Sequence, residues 1–227
     1  MNSARIAIAT VALCASLPTL ADRPLVSDTA DVLPTGTCQV ESAASRLTSS
    51  GVPSARAIGV VFSCGVGGAH QPALGYARAR AGGSTEQGFN LGAKTTLVEP
   101  ADGRLGFGVA YGVGLSKSGS GSFEHDGSSV IGLLTRALGD GLLGHVNLGW
   151  SHSRLERASS TVWSLGMETG GDLVWAADLF GDDRSRPWAS AGLGWSVLER
   201  FSVNAAYAVQ FENPRVRQFS LGLKIGF

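Results

Sequence analysis

The sequence lacks several features that would mark common protein classes. After its first 21 residues it has no run of about 18 or more apolar residues, which excludes a transmembrane helix. Its 18 basic and 18 acidic residues cancel, so the chain lacks the basic excess that nucleic-acid binding requires. The spacings of phosphate-binding, dinucleotide-binding and zinc-binding motifs are missing. We therefore expect no nucleic-acid partner, no cofactor and no bound metal.

The N-terminus has the pattern of a secretory signal peptide. Arg5 supplies a positive charge, residues 6–13 form a short apolar core, and Ala21 occupies a small-residue position before a cleavage site. The apolar core is too short to span a membrane. The pattern predicts export and removal of residues 1–21. Lipoprotein processing at Cys14 is disfavoured, because Leu13 stands where a small residue is normally needed.

The last residues alternate strictly between apolar side chains and polar or glycine residues. Because neighbouring residues of a strand point to opposite faces, the pattern predicts a strand with one apolar face. A strand of this kind that ends on phenylalanine resembles the C-terminal signature of bacterial outer-membrane β-barrels, which the barrel-assembly machinery recognises. The residues of this expected assembly signal are Phe219, Leu221, Leu223, Ile225 and Phe227.

The same alternation recurs along the chain. It is clearest in residues 104–116 and 201–212, where glycine or another small residue fills much of the second face. Further strands are predicted at 37–48, 55–65, 73–82, 89–97, 128–138, 142–155, 160–169, 171–180, 187–198 and 215–227. The total is twelve, an even number as in single-chain bacterial barrels, and ten remains possible because two of the patterns are weak.

These patterns predict an all-β fold, a closed antiparallel up-and-down transmembrane β-barrel over residues 37–227. A soluble β-sandwich is the alternative, but it does not explain the signal peptide and the C-terminal phenylalanine together. In a barrel of this type, the longer and more polar connectors are expected on the external side. Residues 117–127 form the longest polar connector in the sequence.

Charged and polar side chains are expected to face the lumen, because charge is costly at the lipid midplane. The candidates are Gln39, Glu41, Arg78, Arg80, Lys94, Arg104, Arg136, His145, Asn147, Glu168, Asp172, Asp178, Asn204, Gln210, Gln218 and Lys224. Residues 22–36, an N-terminal segment with four charged residues, could fold into the lumen and pair with this wall. Two roles remain open for the charges, namely neutralisation in a filled barrel or the lining of a permeation path.

Cys38 and Cys64 are the two cysteines outside the signal peptide. If the first hairpin turns near Gly51, these two positions are equidistant from the turn and lie opposite each other. Export places them in an oxidising compartment. The spacing therefore predicts a disulfide at the periplasmic ends of the first two strands, with two unpaired cysteines as the alternative.

The start of the mature chain resembles a known family. An R-P-L/F-x-[TS]-D opening, followed by glycine and a glutamate-bearing first strand, is similar to outer-membrane proteins named for the MetA pathway of phenol degradation. The matching residues are Arg23, Pro24, Leu25, Ser27, Asp28, Gly36, Gln39 and Glu41. The resemblance implies a transporter, and it is the source of the expectation that an aromatic or hydrophobic molecule is transported.

Catalysis is not favoured by the sequence. His152 lies between Ser151 and Ser153, but adjacent strand residues face opposite sides, so neither serine shares a face with it. A partner on a neighbouring strand remains open. We therefore expect no enzyme, and a lipid-modifying barrel enzyme that uses His152 is the third hypothesis.

The leading interpretation is a passive channel in the bacterial outer membrane for small molecules, for which the resemblance implies an aromatic or hydrophobic character. The second is a plugged structural barrel or a barrel whose surface loops mediate interactions. The expected partners are outer-membrane lipid, the barrel-assembly machinery, periplasmic chaperones and a small-molecule solute.

Overall fold

The computed structural model describes residues 25–101, 103–139, 141–154 and 156–227. The predicted signal peptide lies outside the described residues, as do Arg23 and Pro24 of the N-terminal motif. Among the residues described, no helix is long and apolar enough to cross a membrane.

The described chain forms twelve β-strands, which confirms the predicted number. Their bounds are β1 (Cys38–Ser49), β2 (Val52–Cys64), β3 (His70–Ala81), β4 (Ser84–Val98), β5 (Gly106–Ser118), β6 (Glu124–Gly139), β7 (Leu142–Ser153), β8 (Ala158–Thr169), β9 (Leu173–Asp182), β10 (Trp188–Leu198), β11 (Phe201–Gln210) and β12 (Arg217–Gly226). The weakly predicted β3 and β6 are both present, and β6 begins four residues earlier than the sequence pattern indicated.

The strands form one closed antiparallel barrel in which each strand pairs with its neighbours in sequence and β12 pairs with β1. Closure is completed at the last residue, because the main chain of Phe227 exchanges two hydrogen bonds of 2.9 Å with that of Cys38. The sheet therefore has no open edge that could pair with another chain. The end that holds Cys38 and Phe227 is called the terminal end, and the other is called the distal end.

The outer face of the barrel is apolar over most of its height. Leu91 and Leu148, for example, are 61% and 60% exposed, and many other large apolar side chains share this face. Apolar exposure on this scale is costly in water, and it is the surface that a lipid bilayer covers. The alternation of apolar outer and polar or small inner residues therefore matches a membrane-spanning barrel.

Connector length does not distinguish the two ends as the sequence pattern indicated. Two distal connectors, residues 50–51 and 82–83, are tight turns, whereas the longest connector is terminal, at residues 99–105. The polar connector expected at 117–127 shrinks to 119–123, because β5 and β6 extend into it. The two ends therefore differ less in connector length than the sequence pattern indicated.

The predicted disulfide is confirmed. Cys38 and Cys64 are direct partners in the pairing of β1 with β2, and their sulfur atoms are bonded at 2.07 Å. The bond lies at the terminal end, beside Phe62, whose ring stacks on that of Phe227 with centroids 6.3 Å apart. The first hairpin and the closing strand are thus tied together at one corner of the barrel.

Candidate functional site

The lumen contains the described part of the N-terminal segment, residues 25–36, which we call the lumenal segment. Its residues contact the inner faces of the barrel wall from β9, through β7, β6 and β4, to β3, and then Gly65, which directly follows β2. Leu25 and Ala30 are 3% and 0% exposed, as in a protein core. The segment therefore crosses most of the lumen, in the terminal half of the barrel.

Asp178 on β9 anchors the beginning of the lumenal segment. Its carboxylate accepts hydrogen bonds from the N–H of Val26 at 2.8 Å, the N–H of Ser27 at 3.2 Å and the Ser27 hydroxyl. The hydroxyl of Ser190, on the neighbouring strand β10, also donates to it at 3.3 Å. A buried carboxylate needs several such donors, because an unpaired buried charge is costly.

Asp28 connects the segment to two further strands. Its N–H donates to the side-chain oxygen of Asn147 at 2.7 Å, and the Asn147 amide nitrogen donates back to its carbonyl at 2.9 Å. Its carboxylate forms an ion pair of 3.1 Å with Lys94, and both side chains are largely buried. Ser164 donates to the same oxygen of Asn147 at 3.0 Å and so fixes the amide orientation.

Ala30 is held between two threonines on opposite sides of its peptide. Its N–H donates to Thr135 at 2.9 Å, and its carbonyl accepts a hydrogen bond from Thr96 at 2.6 Å. The methyl group of Ala30 packs with Leu133 and Ile131 in an apolar cluster on the inner face of β6. Backbone groups that would otherwise be buried without partners are thereby satisfied by the wall.

The end of the segment leads into the wall. Leu33 donates its N–H to the Gln71 side chain at 2.9 Å, and Thr35 forms a parallel bridge with Gly65. The chain then enters β1 at Cys38. The lumenal segment is therefore continuous with the barrel and is held by hydrogen bonds along most of its described length.

Three wall glycines make room for the segment. A Cβ atom on Gly166 would lie 2.6 Å from the Ser27 hydroxyl, and one on Gly108 would lie 3.0 Å from the Ala30 carbonyl. One on Gly65 would collide with the carbonyl oxygens of residues 33 and 34. Part of the glycine content of the strands is thus explained by close approach of this backbone.

Thr135, His145 and Glu168 form a buried polar row beneath the segment. The Nδ1 atom of His145 lies 3.1 Å from the Thr135 hydroxyl, and its Nε2 atom lies 3.4 Å from a Glu168 carboxylate oxygen. All three side chains are at most 4% exposed. Because Thr135 also accepts the Ala30 N–H, this row links three strands to the segment.

An apolar cluster narrows the distal half of the lumen. The buried inward residues Leu47, Ala55, Ala81, Trp188 and Ala208 form one cluster that joins β10 and β11 to β1, β2 and β3. Phe180 packs against it, with its ring stacked on Trp188 at a centroid distance of 6.1 Å. The distal lumen is therefore occupied on this side by bulky apolar groups.

The lumenal segment and the apolar cluster leave other parts of the inner wall more accessible. Toward the terminal end, β10 and β11 present small or polar inward residues that are half-buried or exposed, namely Gly194, Ser196, Ser202 and Asn204. At the distal end, half-buried polar inward residues lie on the other side of the lumen, namely Asn90, Ser116, Ser129, Ser151 and Ser160. The accessible wall thus runs obliquely from one end to the other.

The strand register places most of the predicted lumenal residues on the inner face. These are Gln39, Glu41, Lys94, His145, Asn147, Glu168, Asp178, Asn204, Gln210, Gln218 and Lys224. Gln39 donates to Glu41, and Glu41 lies opposite Lys224 in the β1–β12 pairing. Lys94, Asn147 and Asp178 contact the lumenal segment directly.

Five predicted lumenal residues lie elsewhere. Arg78 and Arg80 share the outer face of β3 with Leu74, which is 53% exposed, and Arg136 lies on the outer face of β6. Arg104 and Asp172 lie in terminal connectors. The assignment of the three strand arginines to the lumen is wrong, because they sit near the ends of their strands, where an outward charge leaves the apolar band at little cost.

Sequence reasoning missed Thr96, Thr135 and Trp188. The threonines are uncharged and occupy ordinary strand positions, so only their inward register could have indicated a role. Trp188 directly follows Pro187. Because Ala189 faces outward and strand residues alternate, Trp188 is expected to face the lumen. Neither the inward register of the threonines nor the parity of Trp188 identifies the residue that each side chain contacts across the lumen.

His152 lies on the outer face, stacked on Trp150, and the cross-strand partner that the sequence left open is Ser159, whose hydroxyl is 3.2 Å from Nδ1. Within the described ranges, the imidazole has no other hydrogen-bond partner, so an orienting acid of the kind used in catalytic triads is not seen. Among those same residues, no group of three or more His, Cys, Asp or Glu side chains could hold a metal ion.

Solved structures with a similar fold include a channel, a porin and an enzyme. The COG4313 outer membrane channel from Pseudomonas putida F1 has a TM-score of 0.64 and 7% identity, covering 89% of this chain and 100% of that chain. The KdgM porin in complex with disordered oligogalacturonate has a TM-score of 0.60 and 9% identity, covering 83% and 99%. Outer membrane phospholipase A from Escherichia coli has a TM-score of 0.52 and 10% identity, covering 93% and 96%.

Fold and site together define the class as a closed antiparallel barrel of the outer-membrane type whose lumen holds an N-terminal segment. Residues 9–227 match the family described as Uncharacterised conserved protein UCP029691, and the chain belongs to that family. A sequence comparison with curated proteins finds no match. The resemblance to MetA-pathway proteins is not confirmed by the family match and stays a prediction.

Proposed function

We propose that the protein is an outer-membrane channel for small molecules, with a path that runs obliquely between the lumenal segment and the distal apolar cluster. The supporting observation is the strip of accessible polar and small residues on the inner wall. It passes Ser116 and Ser151 at the distal end and Ser196 and Ser202 at the terminal end. The wall beneath the segment, in contrast, is buried.

The proposed orientation places the terminal end in the periplasm. An even number of strands puts both ends of the barrel chain on one side, and bacterial barrels of this kind are assembled from the periplasmic side. The lumenal segment is then the first obstacle that a solute meets from the periplasm. Trp188 and its neighbours form the obstacle on the external side.

The proposed solute is a small molecule with an aromatic or otherwise hydrophobic surface. Trp188, Phe180 and Leu47 narrow the distal lumen with apolar groups, and hydrophobic constrictions in channels resist the passage of water and ions. Their contact with an apolar solute would lower that barrier. The N-terminal resemblance to MetA-pathway proteins points to the same class of solute.

Solute flux into liposomes tests the proposal. Purified, refolded protein should admit a small neutral aromatic molecule faster than a sugar of equal size, and boiled protein should admit neither. Equal and slow entry of both solutes, at the rate of protein-free liposomes, would contradict the channel. Equal and fast entry of both would support a channel but contradict the aromatic preference.

A plugged structural barrel is the second candidate. It is favoured by the hydrogen bonds that hold Val26, Ser27, Asp28 and Ala30 to the wall, since a segment held this firmly can close a lumen. In that case no solute passes through the native protein. Flux would then appear only after the contacts of the segment are removed by mutation.

A further inference from the structure

Charge is segregated between the two faces of the barrel wall. In the described strands the acidic side chains with inward register are Glu41, Glu86, Glu124, Glu168, Asp178 and Asp182. Asp126, at the β-bulge of β6, faces the same side, because its carboxylate accepts a hydrogen bond from Ser116 and lies near Glu86. The outward-facing lysines and arginines of the same strands are Arg46, Arg56, Arg78, Arg80, Lys117, Arg136 and Arg217. The outer face therefore carries basic strand residues without acidic ones.

Three of these arginines form a row across adjacent strands at the distal end. Arg46 is the direct partner of Arg56 in the β1–β2 pairing, and Arg56 is the direct partner of Arg80 in the β2–β3 pairing. Strands lie about 4.8 Å apart, so the row spans about 10 Å. Like charges directly opposite each other destabilise a sheet unless an anion lies between them.

The described part of the chain supplies no such anion. The ion pairs seen among the described residues include those of Asp28, Glu124, Glu156 and Glu168, and none of these acids contacts an arginine of the row. Arg78 lies next to the row on the outer face of β3, and its buried Nε atom has no hydrogen-bond partner. The basic cluster is thus left for a ligand from outside the chain.

An apolar groove begins at Ala44 and Ile58, two residues below Arg46 and Arg56 toward the terminal end, and extends sideways across β12, β11 and β10 to β9. Its volume is about 780 Å³, and its outward-facing side chains are mostly apolar, among them Leu193, Trp195, Val203, Leu221 and Ile58. The lining includes the small side chains of Ser42 and Ala44 on β1, the strand that carries Arg46, and bulkier side chains such as Trp195 and Leu221.

We propose that this site binds lipopolysaccharide, with the phosphate groups of its lipid A on Arg46, Arg56 and Arg80 and an acyl chain in the groove. Guanidinium groups bind phosphate through paired, charge-assisted hydrogen bonds, and a multiply phosphorylated headgroup can bridge several of them. The arrangement of a cationic row above an apolar groove matches an anionic head above a hydrocarbon tail.

The proposal rests on the outer-membrane location and orientation proposed above, since these place the distal end in the leaflet that contains lipopolysaccharide. The charge pattern agrees with that orientation. In the described strands, one outward-facing arginine, Arg136, lies near the terminal end. Five lie near the distal end, namely Arg46, Arg56, Arg78, Arg80 and Arg217. These distal arginines lie on four adjacent strands, β12, β1, β2 and β3, on one side of the barrel. They therefore form a local site and not a belt around the whole barrel.

Lipid binding to the purified, detergent-solubilised barrel tests the site. Native mass spectrometry can titrate bisphosphorylated lipid A, its dephosphorylated form and phosphatidylglycerol against the wild type, Arg56→Gln and the triple variant Arg46→Gln, Arg56→Gln, Arg80→Gln. Arg136→Gln is the matched control, because it is an outward-facing arginine at the other end. An unboiled gel verifies that each variant is folded.

We expect Arg56→Gln to weaken lipid A binding by about tenfold, the triple variant to weaken it further, and Arg136→Gln to leave it unchanged. Dephosphorylated lipid A should bind weakly to every variant. Unchanged lipid A binding by the folded Arg56→Gln variant would overturn the proposal, as would equal losses in the Arg136→Gln control. Phosphatidylglycerol binding as tight as lipid A would overturn the assignment to lipopolysaccharide.

The same variants separate this site from the channel. The arginine row lies on the outer face, so the triple variant should retain wild-type solute flux into liposomes. A barrel that passes no solute but shows the expected lipid A losses would contradict the channel and support the lipid site. A barrel that conducts normally but binds lipid A equally with and without the row would support the channel and contradict the lipid site.

Discussion

Asp178 on the barrel wall holds Ser27 of the lumenal segment by two hydrogen bonds, one to its main-chain N–H at 3.2 Å and one to its hydroxyl. The two residues are 151 positions apart in sequence, and both are at least 96% buried. This contact fixes the beginning of the segment at β9, four strands around the barrel from its entry into β1. The width of any path through the barrel therefore depends on it.

Replacing Asp178 with alanine should loosen the segment without unfolding the barrel. Hydrogen bonds to a charged group contribute about 1.5–3 kcal/mol, so we expect amide exchange of residues 25–30 to accelerate by about tenfold or more. Hydrogen–deuterium exchange by mass spectrometry measures this. Gln218→Ala, on the inner wall away from the segment, should leave the exchange unchanged, and equal protection in the Asp178→Ala variant would contradict the anchoring role.

Gly166 should be intolerant of even one added methyl group. An alanine Cβ there would lie 2.6 Å from both Asp178 and the Ser27 hydroxyl, so either the segment or the wall must move. Overpacking of this kind costs about 1–3 kcal/mol. Gly114→Ala is the control, because its nearest neighbour is 3.9 Å away. Chemical denaturation should show a lower midpoint for Gly166→Ala alone, and equal midpoints would indicate that the segment is not packed there.

Deleting Phe227 should impair barrel assembly. The residue supplies the last two main-chain hydrogen bonds of the closing seam and the ring that stacks on Phe62. We expect a smaller fraction of heat-modifiable protein in the membrane after expression. Phe227→Tyr keeps the backbone and an aromatic ring, so it should assemble normally. Normal assembly of the deletion variant would show that the preceding strand residues suffice for recognition.

Removing the disulfide should lower stability while preserving the fold. The bond closes a loop with a sequence separation of 26 residues, for which a loss of about 2–4 kcal/mol is typical. Denaturation of the Cys38→Ser, Cys64→Ser variant, compared with the oxidised and reduced wild type, measures the effect. Reduced wild type should behave like the double variant. Rapid labelling of both thiols in protein kept without reductant would contradict the bond itself.

Much of the fold follows from local patterns. The period-2 alternation defines the strands, and the Cys38–Cys64 pairing follows from the position of the first turn, because hairpin register is a local property. The error at Arg78 and Arg80 has a different origin. Their lumenal assignment follows from the cost of charge at the bilayer centre, whereas their parity with Leu74 indicates the outer face.

The contacts within the lumen could not be predicted in the same way. The partners Ser27 and Asp178, or Ala30 and Thr135, are more than 100 residues apart, and each strand supplies only one or two of them. Uncharged Thr96 and Thr135 resemble any other strand threonine in sequence. Their role depends on the curvature of the closed barrel, which brings distant inner faces to the same short segment.

Single-channel recording in planar bilayers, with wild type and Trp188→Ala compared, tests the central claim most directly. The account predicts discrete conductance steps for the wild type and larger steps for Trp188→Ala, since that substitution removes the bulkiest group from the distal cluster. Trp195→Ala, on the outer face, should leave the step size unchanged. Folded protein that gives no steps in either the wild type or the Trp188→Ala variant would contradict a solute path through this lumen.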